Sequence, residues 1–414
     1  MILLRLALRN VLRNRRRTLL TLLVVVAGYG ALALAGGFMS QTFEGLSEGA
    51  IRGGLGHAQV LDPRALEGDE GQSLEFALPD GEGLAARLRQ DPAVEAVLPR
   101  IQFMGLVGGG ARSVAVLGTG VDPDLEARYM NVPERISDGA RAPGGLGSRW
   151  LSARPGSREV VLGIGLARSL GAKVGTGLTL TSTTRDGALN LVDVDVVGLQ
   201  DLGLKELNDR FLVTSLETAT LLVEAGPARS RLSLVLKDPR DLEGVLARLR
   251  GLAGGLSLRP WTELASFYRQ VKLLYAAIFG FMGLVLFLVV ALAAANTLLM
   301  SVMERLRELG TLRALGLRPG QVALLLQWEG AFLGLAGCLG GLALTLGLRA
   351  VLNALHLEMP AAPGTSHGYE LNIHLVPRVY LGAWAFLQAT LALAALMPGR
   401  KAANLRITEA LRHV

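Results

Sequence analysis

Few side chains in this sequence are spaced for catalysis. Val160-Val161-Leu162 running into Gly163-Ile164-Gly165 has the strand–glycine–helix form of a loop that cradles dinucleotide phosphates. Arg168, however, holds the place of the third glycine, and no second βαβ unit follows. Asp193 and Asp195 alternate on a strand pattern, which puts both on one face, as on a solvated sheet surface. His57, His356, His367, His374 and His413 stand at no metal-ligand spacing, and Cys338 is a single thiol inside an apolar stretch. No GxxxxGKS or GxxxxGKT phosphate loop occurs. The chain is therefore not expected to be an enzyme or to hold a cofactor or metal. If ATP and Mg are used, a separate ATPase has to bind them.

The residues with mutually supporting features lie between Asn296 and Val322, in NTLLMSVMERLRELGTLRALGLRPGQV. Helical spacing sets Glu304 three and four residues before Arg307 and Glu308, and Arg305 likewise before Glu308 and Leu309. Leu306, Leu309, Leu312 and Leu315 recur every third residue, an apolar stripe across a charged helix. Gly310 and Arg313 lie within it, Gly316 closes it, and Pro319 restarts the chain. A short amphipathic helix joined rigidly to long apolar stretches on both sides is a mechanical lever suited to a groove on a partner. Anionic lipid alone would account for its arginines but would disfavour its two glutamates.

That lever must be held by membrane spans. Thr18–Met39 carries no charge over 22 residues, enough to cross a hydrocarbon core of roughly 30 Å. Leu273–Met303, Val322–Leu348 and Val379–Met397 repeat the pattern. A cleaved signal peptide is the rival for the first stretch, because Arg13–Arg17 is basic and Ala31-Leu32-Ala33 and Ala33-Leu34-Ala35 offer small-x-small sites. The stretch exceeds a usual signal core, and the segment before it is patterned like an interfacial helix, so a retained anchor is expected.

The charges give the orientation. The chain has 42 Lys+Arg against 35 Asp+Glu, yet residues 41–265 hold 24 basic and 29 acidic side chains, leaving 18 and 6 for the rest. The excess gathers at span ends: Arg5, Arg9, Arg13, Arg15, Arg16 and Arg17; Arg305, Arg307, Arg313 and Arg318; Arg400, Lys401, Arg406 and Arg412. The positive-inside rule makes that side cytoplasmic, and the clustering removes the nucleic-acid reading of a basic chain. The expected order is a basic amphipathic helix (1–17), span one (18–40), a large outward domain (41–265), span two (268–303), the cytoplasmic coupling helix (304–321), span three (322–348), an outward loop (349–378), span four (379–397) and a cytoplasmic tail (398–414). The fold class is thus four α-helical spans, one plus three, with a large α+β periplasmic domain between the first and second.

Within that domain His57–Leu61, Ser113–Leu117, Val192–Gly198 and Ser233–Leu236 read as strands, and Gly83–Gln90, Gly163–Leu170 and Asp241–Leu252 as helices. Asp138–Gly156 reads as a surface loop or the boundary between two lobes. In span three, Gly330, Gly334, Gly337 and Gly341 form a small-residue face on which another helix, including one from a second protomer, could approach closely. Ala291, Ala294 and Ala295 offer a similar surface in span two. Asn296, Gln327 and Glu329 are the polar exceptions. Glu329 is expected to bond a neighbouring helix or Arg318 rather than to carry protons. Phe38, Met39, Phe43, Phe267 and Tyr268, beside the domain junctions, are candidates for a lateral cargo entrance, or for interfacial aromatics that anchor helix ends.

The sequence resembles the FtsX-like permeases of ATP-binding-cassette transporters, in the branch that contains MacB and the lipoprotein-release proteins LolC and LolE. The likeness is carried by LALRNVLRNRRRTLLTLL at the start, GHAQV at Gly56–Val60, VVLGIGLARSLGAKVGTGLTL at Val160–Leu180, MERLRELGTLRALGLRPGQV at Met303–Val322 and PGRKAANLRITEALR at Pro398–Arg412. It implies a MacB-type core in the outward domain, two protomers per transporter (the same or a homologous chain) and a cytoplasmic ATPase dimer. It also implies mechanotransmission, in which outward domains move as ATP closes that dimer. No ATPase segment precedes the basic helix, which places the likeness nearer LolC and LolE. Lipoprotein or lipid extraction from a bacterial inner membrane, to a periplasmic carrier, is the expected work, with membrane lipid a further partner. A drug or peptide exporter and a non-transporting regulator of cell-wall hydrolases are the alternatives.

Overall fold

The computed structural model describes residues 2–13, 15–66, 75–109, 112–130, 132, 136, 147–202, 205–251, 254–359 and 369–404. Two compact units divide the chain. One comprises Met1–Glu44, Val271–Glu358 and Glu370–Val414, the other Gly45–Gln270 and Met359–Tyr369. The chain opens with helix α1 (Ile2–Arg13) and the long α2 (Arg15–Ala50). At 1.5 Å per residue α2 is about 54 Å long, so the helix does not stop at residue 40 but runs on to the edge of the inserted unit. A π turn at Ile51–Leu55 ends it, with Gly54 at φ 118°.

The inserted unit has two lobes. The first is built from β1 (Ala58–Leu61), α3 (Gly81–Leu88), the first half of β2 (Val94–Gly109) and three elements that come much later in the chain. Asp80 starts α3 by accepting from the Gly83 amide, ahead of the expected boundary. The second lobe runs through β3 (Arg112–Val121), α4 (Pro123–Tyr129), β4 (Glu159–Gly163), α5 (Ile164–Leu170), β5 (Gly177–Thr183), β6 (Leu189–Gln200), β7 (Phe211–Ser215) and α6 (Leu216–Val223). The chain then returns to the first lobe in β8 (Arg231–Leu236), α7 (Leu242–Arg250) and β9 (Ser257–Pro260).

Lobe one has the antiparallel order β2-β8-β1-β9, a split βαββαβ arrangement with the whole second lobe inserted between its second and third strands. Ala58, Val60, Leu84, Leu88, Leu232, Leu234 and Leu246 fill its core. In lobe two the pairings run β2-β3-β7-β4-β6-β5 and return to β2, closing a ring of six strands. Phe103, Val116, Leu162, Leu180, Val194 and Leu212, one from each strand, make its core with Leu166 of α5 and Leu222 of α6. Strand β2 belongs to both lobes: Arg100 pairs with Arg231 of β8 on one side and Val121 of β3 on the other. The Arg100 guanidinium is buried at this crossing, 2.6 Å from Glu126 of α4.

Several expectations change here. Residues 138–146 of the Asp138–Gly156 loop lie outside the described residues. The remainder is not a free surface loop: Leu151 is buried, Trp150 donates to the Pro123 carbonyl at 3.1 Å, and the Arg149 amide pairs with Val197. Gly163 and Gly165 are small because a Cβ there would strike Asn208 and Asp209, so their glycine pattern serves a helix contact. Asp193 and Asp195 are solvent-exposed, with Asp193 accepting from Thr179 at 2.8 Å. Among the described residues no cluster of His, Cys, Asp and Glu is arranged to hold a metal.

The first unit resumes in α8 (Ser266–Glu304), α9 (Leu306–Ala314), α10 (Pro319–Ala354) and α11 (Pro377–Ala403). With Arg16–Leu55, helices α8, α10 and α11 are long and apolar enough to cross a membrane. The chain is a multi-pass membrane protein with a large α/β domain between its first and second spans. The glycine face of span three is occupied from within the chain, not left for a second protomer. A methyl group at Gly337 would stand 2.5 Å from Val25, at Gly341 2.6 Å from Tyr29, at Gly334 2.8 Å from Leu391, and at Gly330 3.6 Å from Ala395. In span two, Ala294 is buried in the same core, while Asn296 is exposed on the helix surface.

Candidate coupling site

The segment between spans two and three is shaped by three local devices. At its start the helix does not run on unbroken: Arg305, at φ −118° and ψ 20°, interrupts it, so α9 is a separate element. At its end Leu317 and Gly316 donate their amides to the Leu312 and Arg313 carbonyls, with Gly316 at φ 106°. This is a Schellman closure, which a glycine permits without strain. Pro319 then opens α10, and the Arg318 amide is held by the Gln321 side chain at 2.8 Å.

The break at Arg305 is stabilised by charge. Its guanidinium donates to Glu308 at 2.9 Å and to Glu329 at 3.1 Å. Glu329, only 3% exposed, also accepts from Asn10 of α1 at 2.6 Å. The expected partner Arg318 is replaced by Arg305, and a residue 319 positions away in sequence completes the node. A buried carboxylate with a guanidinium and an amide on it is a structural tie between α1, the helix break and span three. Two further pairs clasp the same segment: Arg13 to Glu308 at 3.0 Å and Arg17 to Glu304 at 2.8 Å. The hydrogen bond from Arg305, and a second from Arg13, hold the Glu308 carboxyl below its ordinary range. Arg313 donates to the Ala403 carbonyl at 3.0 Å, tying the far end to span four.

The leucine stripe divides. Leu306 and Leu309 are buried, Leu309 in a cluster with Ala7, Leu298, Val302, Val322, Leu326 and Ala402. Leu312 is half-buried, and Leu315 is 80% exposed. The stripe is thus mainly the inner face of α9. Besides the clasped Glu308, the exposed residues here are Arg307, Thr311, Ala314 and Leu315. Sequence reasoning missed Asn10, Arg13 and Arg17 as members of the site. One signal was present: Arg13 and Arg17 share the four-residue spacing of Glu304 and Glu308.

The aromatic candidates fall in different units. In the first, Phe38 and Met39 are half-buried, and Phe43 packs on Tyr275 with ring centres 5.8 Å apart. In the second, Tyr268 meets Trp261 edge-on at 4.8 Å and Phe267 is exposed. These local ring pairs have the form of aromatics at helix ends.

Two family models match the chain: the MacB-like periplasmic core domain over residues 18–252 and the FtsX-like permease C-terminal region over residues 280–407. The lipoprotein-releasing system transmembrane protein LolC of Neisseria meningitidis serogroup B is 28% identical over 257 residues, 59% of this chain and 59% of that protein. The aligned part is thus about three fifths of that relative. LolC of Xylella fastidiosa strain 9a5c is 26% identical over 357 residues, 81% of each chain. The crystal structure of the periplasmic region of MacB from Actinobacillus actinomycetemcomitans aligns at 14% identity and a TM-score of 0.36, covering 53% of this chain and 95% of that one.

Proposed function

This chain belongs to the ATP-binding-cassette transporter permeases that carry a MacB-like periplasmic core domain and an FtsX-like C-terminal region, and from that premise we propose that it releases lipoprotein or lipid cargo from a bacterial inner membrane by mechanotransmission. Its termini and α9 lie in the cytoplasm, where a separate ATPase dimer binds ATP and Mg. A second permease protomer completes the transporter, and a periplasmic carrier receives the cargo. The observation that carries the mechanical reading is the clasp on α9, which ties one short helix to α1 and all four spans through Arg13, Arg17, Asn10, Glu329, Leu309 and Ala403. A push on its outward face, Arg307, Thr311, Ala314 and Leu315, is carried into the bundle through those ion pairs, hydrogen bonds and apolar contacts. The name of the LolC relatives supports acylated cargo.

Two measurements test this. Leu315→Asp should leave the protein inserted and stable but lower co-purification of the ATPase and cargo release together, whereas Leu309→Asp should destabilise the protein itself by several kcal/mol through an unpaired buried charge. Depletion followed by fractionation of lipoproteins between the two membranes should show acylated cargo retained in the inner one. Normal sorting with new sensitivity to exported drugs would give the case to an efflux permease. Impermeant labelling should reach a tag on the 45–270 domain but not one at Gly316, and the reverse would overturn the orientation.

A further inference from the structure

Helix α1 has three faces, and the bundle uses one of them. Ala7 is fully buried, Leu6 and Val11 are half-buried, and Asn10 holds Glu329. On a second face Leu4, Leu8 and Leu12, at four-residue spacing, are exposed, Leu12 by 65%. Leu19, Leu20 and Leu23 of span one, in the next helix, are exposed as well. On the third face Arg5 and Arg9 are exposed, as is Arg16 at the start of α2, and none of the three has a hydrogen-bond or ion-pair partner among the described residues. No Asp or Glu occurs before Glu44.

We propose that this free surface of α1 is a docking site for anionic phospholipid, with Leu4, Leu8 and Leu12 entering the acyl region and Arg5, Arg9 and Arg16 binding headgroup phosphates. Two observations select lipid as the occupant. The exposed leucines of α1 are followed, seven residues after Leu12, by the exposed leucines that open a membrane span, which sets the stripe beside the bilayer edge. The adjoining stripe is purely cationic, complementary to an anionic leaflet and unlike the mixed charge of α9. Because the opposite face of α1 supplies Asn10 to Glu329, and Arg13 at its end holds Glu308, lipid docking fixes the helix from which the clasp on the coupling segment hangs. The inference rests on reading the long helices as membrane spans and is independent of the cargo.

The test uses the full chain in nanodiscs of phosphatidylcholine and of an equal mixture of phosphatidylcholine and phosphatidylglycerol. A bimane probe on Leu8→Cys, in a Cys338→Ala background, reports burial by emission and by iodide quenching. The probe should be more shielded in the mixed discs. Replacing Arg5, Arg9 and Arg16 with Gln should cut the preference for anionic lipid by on the order of a hundredfold in the docked-to-undocked ratio, about fivefold per charge. Replacement with Lys should retain most of it, which separates headgroup attraction from loss of fold. Equal shielding in both discs, shielding indifferent to the Gln substitutions, or shielding that appears only when a protein partner is added would each overturn the proposal.

Discussion

The two units of this protein solve packing in opposite ways. In lobe two of the inserted domain, large aliphatic and aromatic side chains such as Phe103, Leu162 and Leu212 fill a ring of strands. In the helical unit the backbones themselves come close, with Gly337 and Gly341 receiving Val25 and Tyr29. Water drives the first core by the burial of apolar area. Lipid tails are as apolar as leucine, so the second depends on close van der Waals contact and on polar ties. Polar groups divide in the same way: among the described residues the domain buries both partners of the ion pair Arg100–Glu126 where its lobes cross, while the bundle gathers Glu304, Glu308 and Glu329 with their arginines to hold α9.

The contrast can be broken most severely at that hidden pair. Arg100→Met, leaving Glu126 buried without its cation, should cost about 3–5 kcal/mol, whereas Arg100→Met with Glu126→Leu should recover most of the loss. Denaturant unfolding followed through Trp150, which packs beside α4, reads both. In the bundle Gly337→Val should cost about 1–3 kcal/mol by overpacking, seen as a lower thermal transition in detergent, while Gly382→Ala, where a Cβ meets nothing within 4 Å, should be neutral or slightly stabilising.

Acid sharpens the comparison next. The Arg149 hydrogen bond, with the Ser152 amide, lowers the Glu159 carboxyl below its ordinary 4.5. A depressed folded-state value means stabilisation that is complete above the ordinary value and lost as pH falls through the folded one. Glu159→Gln should therefore flatten the acid limb of the domain's stability curve, and an unchanged limb would count against the pair. Among the ion pairs the smallest effect is expected at Arg17→Gln. Its partner Glu304 is 42% exposed, so the loss should be within about 1 kcal/mol, seen in thermal stability rather than in insertion.

The sequence exposed what is local and periodic. Span positions, the closure at Gly316, the restart at Pro319 and the strand at Ala58–Leu61 follow from hydropathy, glycine and alternation. What it concealed is set by distant partners. A three-residue leucine repeat marks an apolar face without saying which of its residues the protein's own bundle covers, and the bundle buries Leu309 while leaving Leu315 exposed. Glu329 is conspicuous as a carboxylate in an apolar stretch, yet nothing nearby in sequence announces Asn10. The ring of strands was illegible because β3 pairs in parallel with β7 across an interval of about ninety residues, a register that no local pattern encodes. The FtsX-like match reaches residue 407 of the tail at Pro398–Arg412, and residues 405–412 lie outside the described residues.

The shared strand β2 also dictates a timetable. Lobe one needs β8 beside β2 and β9 beside β1, but β8 begins at Arg231, after the whole of lobe two has left the ribosome. Lobe two has all six of its strands by Ser215. During vectorial synthesis the inserted ring can therefore mature first and present the early half of β2 as the template on which the split lobe closes last.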